Sequence, residues 1–259
     1  MTQQEWIKIC EKVTNEMLEY TKPFVTPLST ETDRDVRLVG TGSYVLLKPH
    51  RILLTCEHVA SGQPMNYRFR GSEDVFKYNG QWTADKHPID TAFACISNDA
   101  WEACSHQAHP IPFERFAQKH ALADPAEILF FRGFGGGNAR FAFGVHQTNG
   151  TGYSSQEKHN SGDNQIFEIF WEPENTKLTG QTSPETEREI KFNVAGGFSG
   201  SLVWNTRYLE ISKKKQKWTP EHAVVTGILR RWDQDTKTLL AWRVEHLRHW
   251  IANQLAKRP

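Results

Sequence analysis

Long apolar runs are missing from this sequence. None approaches the roughly 18–20 residues that a membrane-spanning helix needs, so no membrane partner is expected. An excess of charge of one sign is missing too, with 31 Lys and Arg against 30 Asp and Glu, a net +1. That balance sets up no global field to gather nucleic acid or an anionic surface, and no nucleic-acid partner is expected. Cysteine is sparse. Cys10, Cys56, Cys95 and Cys104 form no CxxC pair, which argues against a disulfide scaffold and for reduced thiols in a cytoplasmic protein. Met1 to Tyr20 alternates charged with apolar residues and lacks the apolar core of a secretory signal. Internal repeats and low-complexity tracts are absent as well, so a solenoid is excluded.

What is present suits a packed core. Hydrophobic residues make up 38% of 259 positions, enough for one large domain or two small lobes. Thr2 and Glu5 fit a capping box, and Trp6, Ile9, Cys10, Val13, Met17 and Tyr20 follow at helical spacing. Residues 3–20 are therefore predicted to be an amphipathic helix, packed on the protein's own core. Residues 22–37, rich in Pro, Thr and Asp, read as a linker. From Leu38 onward short apolar strands recur between Gly, Pro, Asn and Asp, the texture of a sandwich or barrel. Residues 150–164 and 172–188 read as polar loops, and Lys213 to Lys217 as a basic turn between strands. Helical spacing returns over 242–256 through Val244, Leu247, Trp250 and Leu255.

Three segments carry the residue types of nucleophilic catalysis. Thr55-Cys56-Glu57-His58 follows an apolar strand, Asp90 opens the strand Thr91-Ala92-Phe93-Ala94, and Gly197-Phe198-Ser199-Gly200 feeds the strand Ser201-Leu202-Val203. A serine hydroxyl is a poor nucleophile at neutral pH and needs a base within hydrogen-bond reach. Histidine suits that role. A carboxylate on its other ring nitrogen fixes the tautomer and stabilises the imidazolium. Glycines beside the serine let backbone N–H groups turn toward a developing oxyanion.

In this order and setting the segments resemble the trypsin/chymotrypsin-like serine proteases. Thr55-Cys56-Glu57-His58 is similar to that family's Thr-Ala-Ala-His, Asp90-Thr91-Ala92-Phe93 to its Asp-Ile-Ala-Leu, and Gly197-Phe198-Ser199-Gly200 to its Gly-Asp-Ser-Gly. Gly40-Thr41-Gly42-Ser43 resembles the first strand of bacterial, disulfide-free members. Val225-Thr226-Gly227-Ile228 resembles the strand that lines the substrate cleft, and Trp250-Ile251 the closing helix. The resemblance spans residues 38–256. It implies an all-β fold of two six-stranded antiparallel β-barrels, about 38–120 and 125–240, with an N-terminal helix on the 1–37 extension and a C-terminal helix over 242–256. It implies Ser199 as nucleophile, His58 as general base and Asp90 as its orienter, with the N–H groups of Gly197 and Ser199 as the oxyanion hole. It further implies a protein or peptide substrate and no cofactor.

The departures are informative. Phe198 stands where the clotting and digestive members carry the Asp that pairs with a freshly cleaved N-terminus. Val59 stands where secreted members carry a cysteine. Both point to an intracellular, bacterial-type member or a phage or plasmid relative, and such a protease is expected to be regulated by a partner, a neighbouring domain or an unformed oxyanion hole. Asn193 occupies the place of the Asp that selects Lys or Arg, so that preference is not expected. Gly227 and Arg230 are the remaining cleft candidates. Arg230 and Arg231 would either favour an acidic or polar side chain in the substrate or lie solvated on a strand edge. Cys104, His106 and His109 do not have the spacing of a zinc site, and Arg132-Gly133-Phe134-Gly135-Gly136-Gly137 lacks the Lys-Ser/Thr of a phosphate loop; no metal is expected. An α/β-hydrolase would need Gly-x-Ser-x-Gly and the order Ser, Asp, His. The alternative within the fold is a catalytically silent protein that binds through its cleft.

Overall fold

The computed structural model describes residues 2–257 apart from 33–34, 62–63, 136–138, 143–144, 149, 160–162, 173–175 and 177–194. Helix α1 (Gln3–Thr21) starts at the expected capping box: the Glu5 N–H donates to Thr2 Oγ1 at 3.2 Å, and the Thr2 N–H donates to Glu5 Oε2 at 2.7 Å. Its buried face, Val13, Thr14 and Met17, packs on the protein itself.

Residues 22–37 are not a linker. After a short 3-10 turn the chain enters β1 (Val25–Thr32), which pairs antiparallel with the long bent β2 (Asp35–Leu47), and a register shift at Leu28/Ser29 bends the pair. The first sheet therefore starts well before residue 38. It continues through β3 (His50–Thr55), β4 (Met65–Tyr67), β5 (Phe76–Tyr78), β6 (Thr83–Asp85) and β7 (Thr91–Ile96) in the order β5-β4-β1-β2-β3-β7-β6. A short β8 (Ile111–Pro112) adds parallel to β2.

The second sheet takes in β9 (Leu129–Gly133), β12 (Thr151–Ser155), β13 (Glu157–Lys158), β14 (Ile166–Phe170), β15 (Leu202–Asn205), β16 (Val224–Asp233) and β17 (Thr238–Arg243). Its order is β12-β9-β15-β16-β17-β14-β13. Strands β12 and β13 lie where a polar loop was expected over 150–164. A separate hairpin of β10 (Ala139–Ala142) and β11 (Val145–Thr148) stands apart. The expected strand over 189–194 lies outside the described residues. Among the described residues the two sheets hold eight and seven strands, so short edge strands extend the expected pair of six.

Alternation explains why several strands read as unbroken apolar runs. In a strand, successive side chains point to opposite faces. On β3, Leu53 faces the first barrel's interior with Tyr44 and Phe69, while Ile52 and Leu54 face a core shared between the barrels. On β9, Leu129 and Phe131 face the second barrel's interior, while Phe130 joins the shared core. The shared core also takes in Val13 and Met17 of α1 and Leu247, Trp250 and Ile251 of the closing helix. Two more helices, α2 (Glu57–Ala60) and α3 (Asn98–Glu102), sit in the first half of the chain. In the second half, the expected basic turn is preceded by helix α4 (Tyr208–Lys213), and α5 (Val244–Ala256) closes the chain. No helix among the described residues is long and apolar enough to cross a membrane.

Candidate active site

The first barrel presents His58 and Asp90 side by side. Strand β3 ends in Thr55, whose buried hydroxyl donates to the Thr41 carbonyl at 2.8 Å. The chain then turns into α2, which carries His58 at the surface with its side chain 48% exposed. Asp90 precedes β7 with φ +47°, a backbone region that Asp tolerates better than most residues. Its carboxylate oxygens both lie 2.9 Å from His58 Nδ1, and Oδ1 also accepts the His58 backbone N–H at 3.1 Å.

That geometry fixes protonation. Burial alone would raise the Asp90 carboxyl, but the His58 hydrogen bonds, helped by the Arg230 cation, hold it below the usual carboxylate range. An ionised Asp90 can only accept, so Nδ1 is the donor to it, and in the neutral ring the lone pair lies on Nε2. Nε2 is the atom a general base uses.

The second barrel supplies Ser199 on a turn between Ala195 and Gly200. Gly197 and Gly200 take φ +99° and +90°, which side-chain-bearing residues rarely adopt. A Cβ on Gly200 would also lie 2.1 Å from the Thr41 carbonyl oxygen. The turn is pinned from several directions. The Thr41 N–H donates to the Ser199 carbonyl at 2.9 Å, and Thr41 Oγ1 donates to the Gly197 carbonyl at 2.9 Å. The Gly200 N–H donates to the Leu229 carbonyl at 2.8 Å. Phe198 is 2% exposed and packs against Phe131, Tyr153 and Trp171 with ring centroids 5.6, 5.3 and 5.8 Å away. Among the described residues the N–H groups of Gly197 and Ser199 donate to no protein acceptor.

The Ser199 hydroxyl donates to the Arg230 carbonyl at 3.2 Å, and among the described residues no hydrogen bond joins it to His58. Such bonds are often long in a protein without substrate. Cys56, His58 and Asp90 are the one group of metal-ligand types among the described residues close enough to share an ion, with ligand atoms within 4.8 Å. The Cys56 and Asp90 ligand atoms are already engaged in hydrogen bonds. Burial pushes the Cys56 thiol well above its usual pKa, and it donates to the Leu229 carbonyl at 3.1 Å.

The cleft candidates fall out differently. Asn193 lies outside the described residues. Gly227 is buried in β16 opposite Val203 and Arg243, where a Cβ would lie 2.6 Å from Phe167 and from the Trp242 carbonyl. It spaces the second barrel's interior; the β16 residues at the Ser199 turn are Leu229 and Arg230. Arg231 is exposed, but Arg230 is not on a solvated edge: its side chain is 10% exposed and its Nε lies 3.9 Å from Asp90 Oδ2. The sequence contained Thr41 within Gly40-Thr41-Gly42-Ser43, but nothing in that pattern marked its side chain as a support for Gly197.

No protein-family model matches the sequence, and no curated protein matches it either. Solved structures do match by shape. The active form of the Rv3671c protease from Mycobacterium tuberculosis aligns with TM-score 0.54 at 17% identity, covering 95% of this chain and 85% of that one. The inactive form of Rv3671c, a serine-to-alanine mutant, aligns with TM-score 0.53 at 15% identity over 96% and 94%. The scabies mite inactivated protease paralogue SMIPP-S-I1 aligns with TM-score 0.55 at 10% identity over 95% and 99%. At these identities the likeness speaks for the fold alone, and the chain has the two-barrel fold of the chymotrypsin-like serine proteases.

Proposed function

We propose that this chain is a serine endopeptidase that cleaves protein substrates through an acyl-enzyme. The observation that carries the reading is the His58–Asp90 pair. Asp90 engages Nδ1 and so leaves Nε2 as the acceptor of the neutral ring, and among the described residues the Ser199 turn of the other barrel holds two N–H groups that donate to no protein acceptor. In the proposed reaction Ser199 Oγ rotates away from the Arg230 carbonyl and gives its proton to His58 Nε2 as it attacks the scissile carbonyl. The N–H groups of Gly197 and Ser199 receive the oxyanion. His58 then protonates the leaving amine, and water repeats the sequence on the ester. Each oxyanion donor is worth about 10²–10³ in rate in enzymes of this chemistry.

The packing of Phe198 supports a turn held without an activating cleavage, since an aromatic cluster occupies the place of an ion pair. The four cysteines, none of them in a disulfide, support a cytoplasmic protein. Such a protease needs restraint, and we assign that role to a partner protein. A dedicated target, such as an effector or toxin in bacterial defence, fits this reading.

One observation favours a second reading. The Ser199 hydroxyl rests on a backbone carbonyl instead of on His58, and the fold is also that of an inactivated paralogue. A silent protein binding through its cleft would share both features. Labelling with a fluorophosphonate probe separates the two, on wild type and Ser199→Ala, each with and without cell extract. Labelling of wild type alone is the expected result, and labelling that needs extract identifies an activator. No labelling under any condition overturns the protease reading, and equal labelling of both proteins overturns the choice of serine.

A further inference from the structure

We propose that Arg230 is a positioning residue, whose buried cation beside Asp90 lowers the proton affinity of His58. The inference rests on the catalytic reading of His58 above and adds a residue to it. Arginine is seldom buried without a carboxylate partner. Here the Arg230 side chain is 10% exposed and the Asp90 side chain 7%, with Nε 3.9 Å from Oδ2. That separation is too long for a hydrogen bond, and among the described residues the buried Nε has no hydrogen-bond partner. The contact is therefore one of charge. It leaves both Asp90 oxygens to His58 while placing a positive charge beside Oδ2, an oxygen that His58 also meets.

The sign follows directly. Protonating His58 would put a second cation on Asp90, and Arg230 opposes it. Removing the Arg230 charge should therefore favour the protonated ring. Glu57, beside His58 on α2, and Asp85, on the strand β6 that packs against that helix, keep their charges in every variant compared. The Cys56 thiol is buried and neutral, and Arg231 and Asp163, which also act on Arg230, are of opposite sign. The residue acts on both halves of the site, because its carbonyl also holds the resting Ser199 hydroxyl.

A guanidinium on the same carboxylate as a half-exposed imidazole changes its midpoint by roughly half to one pH unit. The test is a heteronuclear NMR titration of the His58 ring in the full chain, in a Ser199→Ala background, with the resonance assigned by its loss in His58→Gln. Arg230→Met is expected to raise the His58 midpoint by roughly half to one unit, a three- to tenfold gain in proton affinity. Arg230→Lys keeps the charge and is expected to stay near the parent. An unchanged midpoint in Arg230→Met with a native near-UV spectrum overturns the proposal. So does a shift in Arg230→Lys as large as that in Arg230→Met, which would make the effect one of packing. If Arg230→Met does not fold, Arg230→Gln is read by the same criteria. The ring titration reports on Arg230 whether or not the chain is a hydrolase, whereas the fluorophosphonate experiment reports on the hydrolase alone. The acid limb of kcat/KM in the Ser199 form is expected to move with the ring midpoint.

Discussion

Replacing Phe198 by alanine tests whether an aromatic cluster holds the nucleophile turn. The ring is 2% exposed and meets Phe131, Tyr153 and Trp171 at centroid distances of 5.3–5.8 Å, two of them edge-on at 77° and 87°. Deleting a buried phenylalanine ring costs about 3–5 kcal/mol, from lost transfer energy and the cavity left behind. Edge-to-face partners of this kind add about 0.5–1.5 kcal/mol each beyond burial, so the upper half of that range is expected. In a chain of this size the midpoint of thermal unfolding should fall by roughly 10 °C. The turn should also loosen. The fluorophosphonate labelling rate of the folded protein should drop at least about tenfold, since small misplacements of reacting groups have effects of that order. Urea unfolding of wild type, Phe198→Leu and Phe198→Ala gives the first number, with leucine intermediate. Phe198→Asp should be worse than alanine, because the carboxylate would be buried among three aromatic rings with no cation beside it. A loss below about 1.5 kcal/mol for alanine, the level of a conservative core change, would refute the reasoning and leave the turn held by its hydrogen bonds alone.

Thr41→Val removes the donor to the Gly197 carbonyl and the acceptor of the Phe134 N–H; labelling should slow by about 10–100-fold, and Thr41→Ser should restore it. Glu127 is fully buried and accepts the N–H groups of Leu209 and Glu210 at 3.0 and 3.1 Å, capping α4. Glu127→Ala should destabilise by about 2–4 kcal/mol, and Glu127→Gln by less, in thermal melts. Asp90 is held below the usual carboxylate range, so its contribution to stability is present above pH 4 and fades as pH falls through the lower folded value. The stability difference between wild type and Asp90→Asn should therefore shrink between pH 5 and pH 2; a constant difference would contradict this. Gly200→Ala should fail to fold, because its Cβ would meet the Thr41 carbonyl and φ is +90°.

The strands that the sequence announced are those buried on both faces. β3, β7, β9 and β15 are apolar at nearly every position because one face fills a barrel and the other fills the core between barrels. The nucleophile turn was equally legible, since positive φ at Gly197 and Gly200 demands glycine in a fixed pattern. β1 was not legible, because its buried positions include polar ones. Thr26 is fully buried, with its hydroxyl donating to the Arg68 carbonyl and accepting the Arg68 N–H across the sheet. Threonine that satisfies its own hydroxyl inside a sheet has the composition of a linker. In β12, only Tyr153 is a large apolar residue, while Gly152 makes room for Leu18 of α1. The cue there lies in another element.

Arg230 is the sharpest case of this kind. By type, an arginine beside another arginine at a strand end is a solvated residue, and β16 gives no local sign otherwise. Its inward turn depends on Asp90, which comes from the other barrel and is itself held by His58. The motif that names the nucleophile, base and orienter is local to three short segments. The residues that tune them, Thr41, Phe198 and Arg230, act through contacts between segments far apart in the chain. A motif reading therefore reaches the proposed reacting residues before it reaches the charges and packing around them. The contacts of Thr41 and Arg230 cross between the barrels while those of Phe198 fill the second barrel's interior, so further determinants of this site are to be sought in both places.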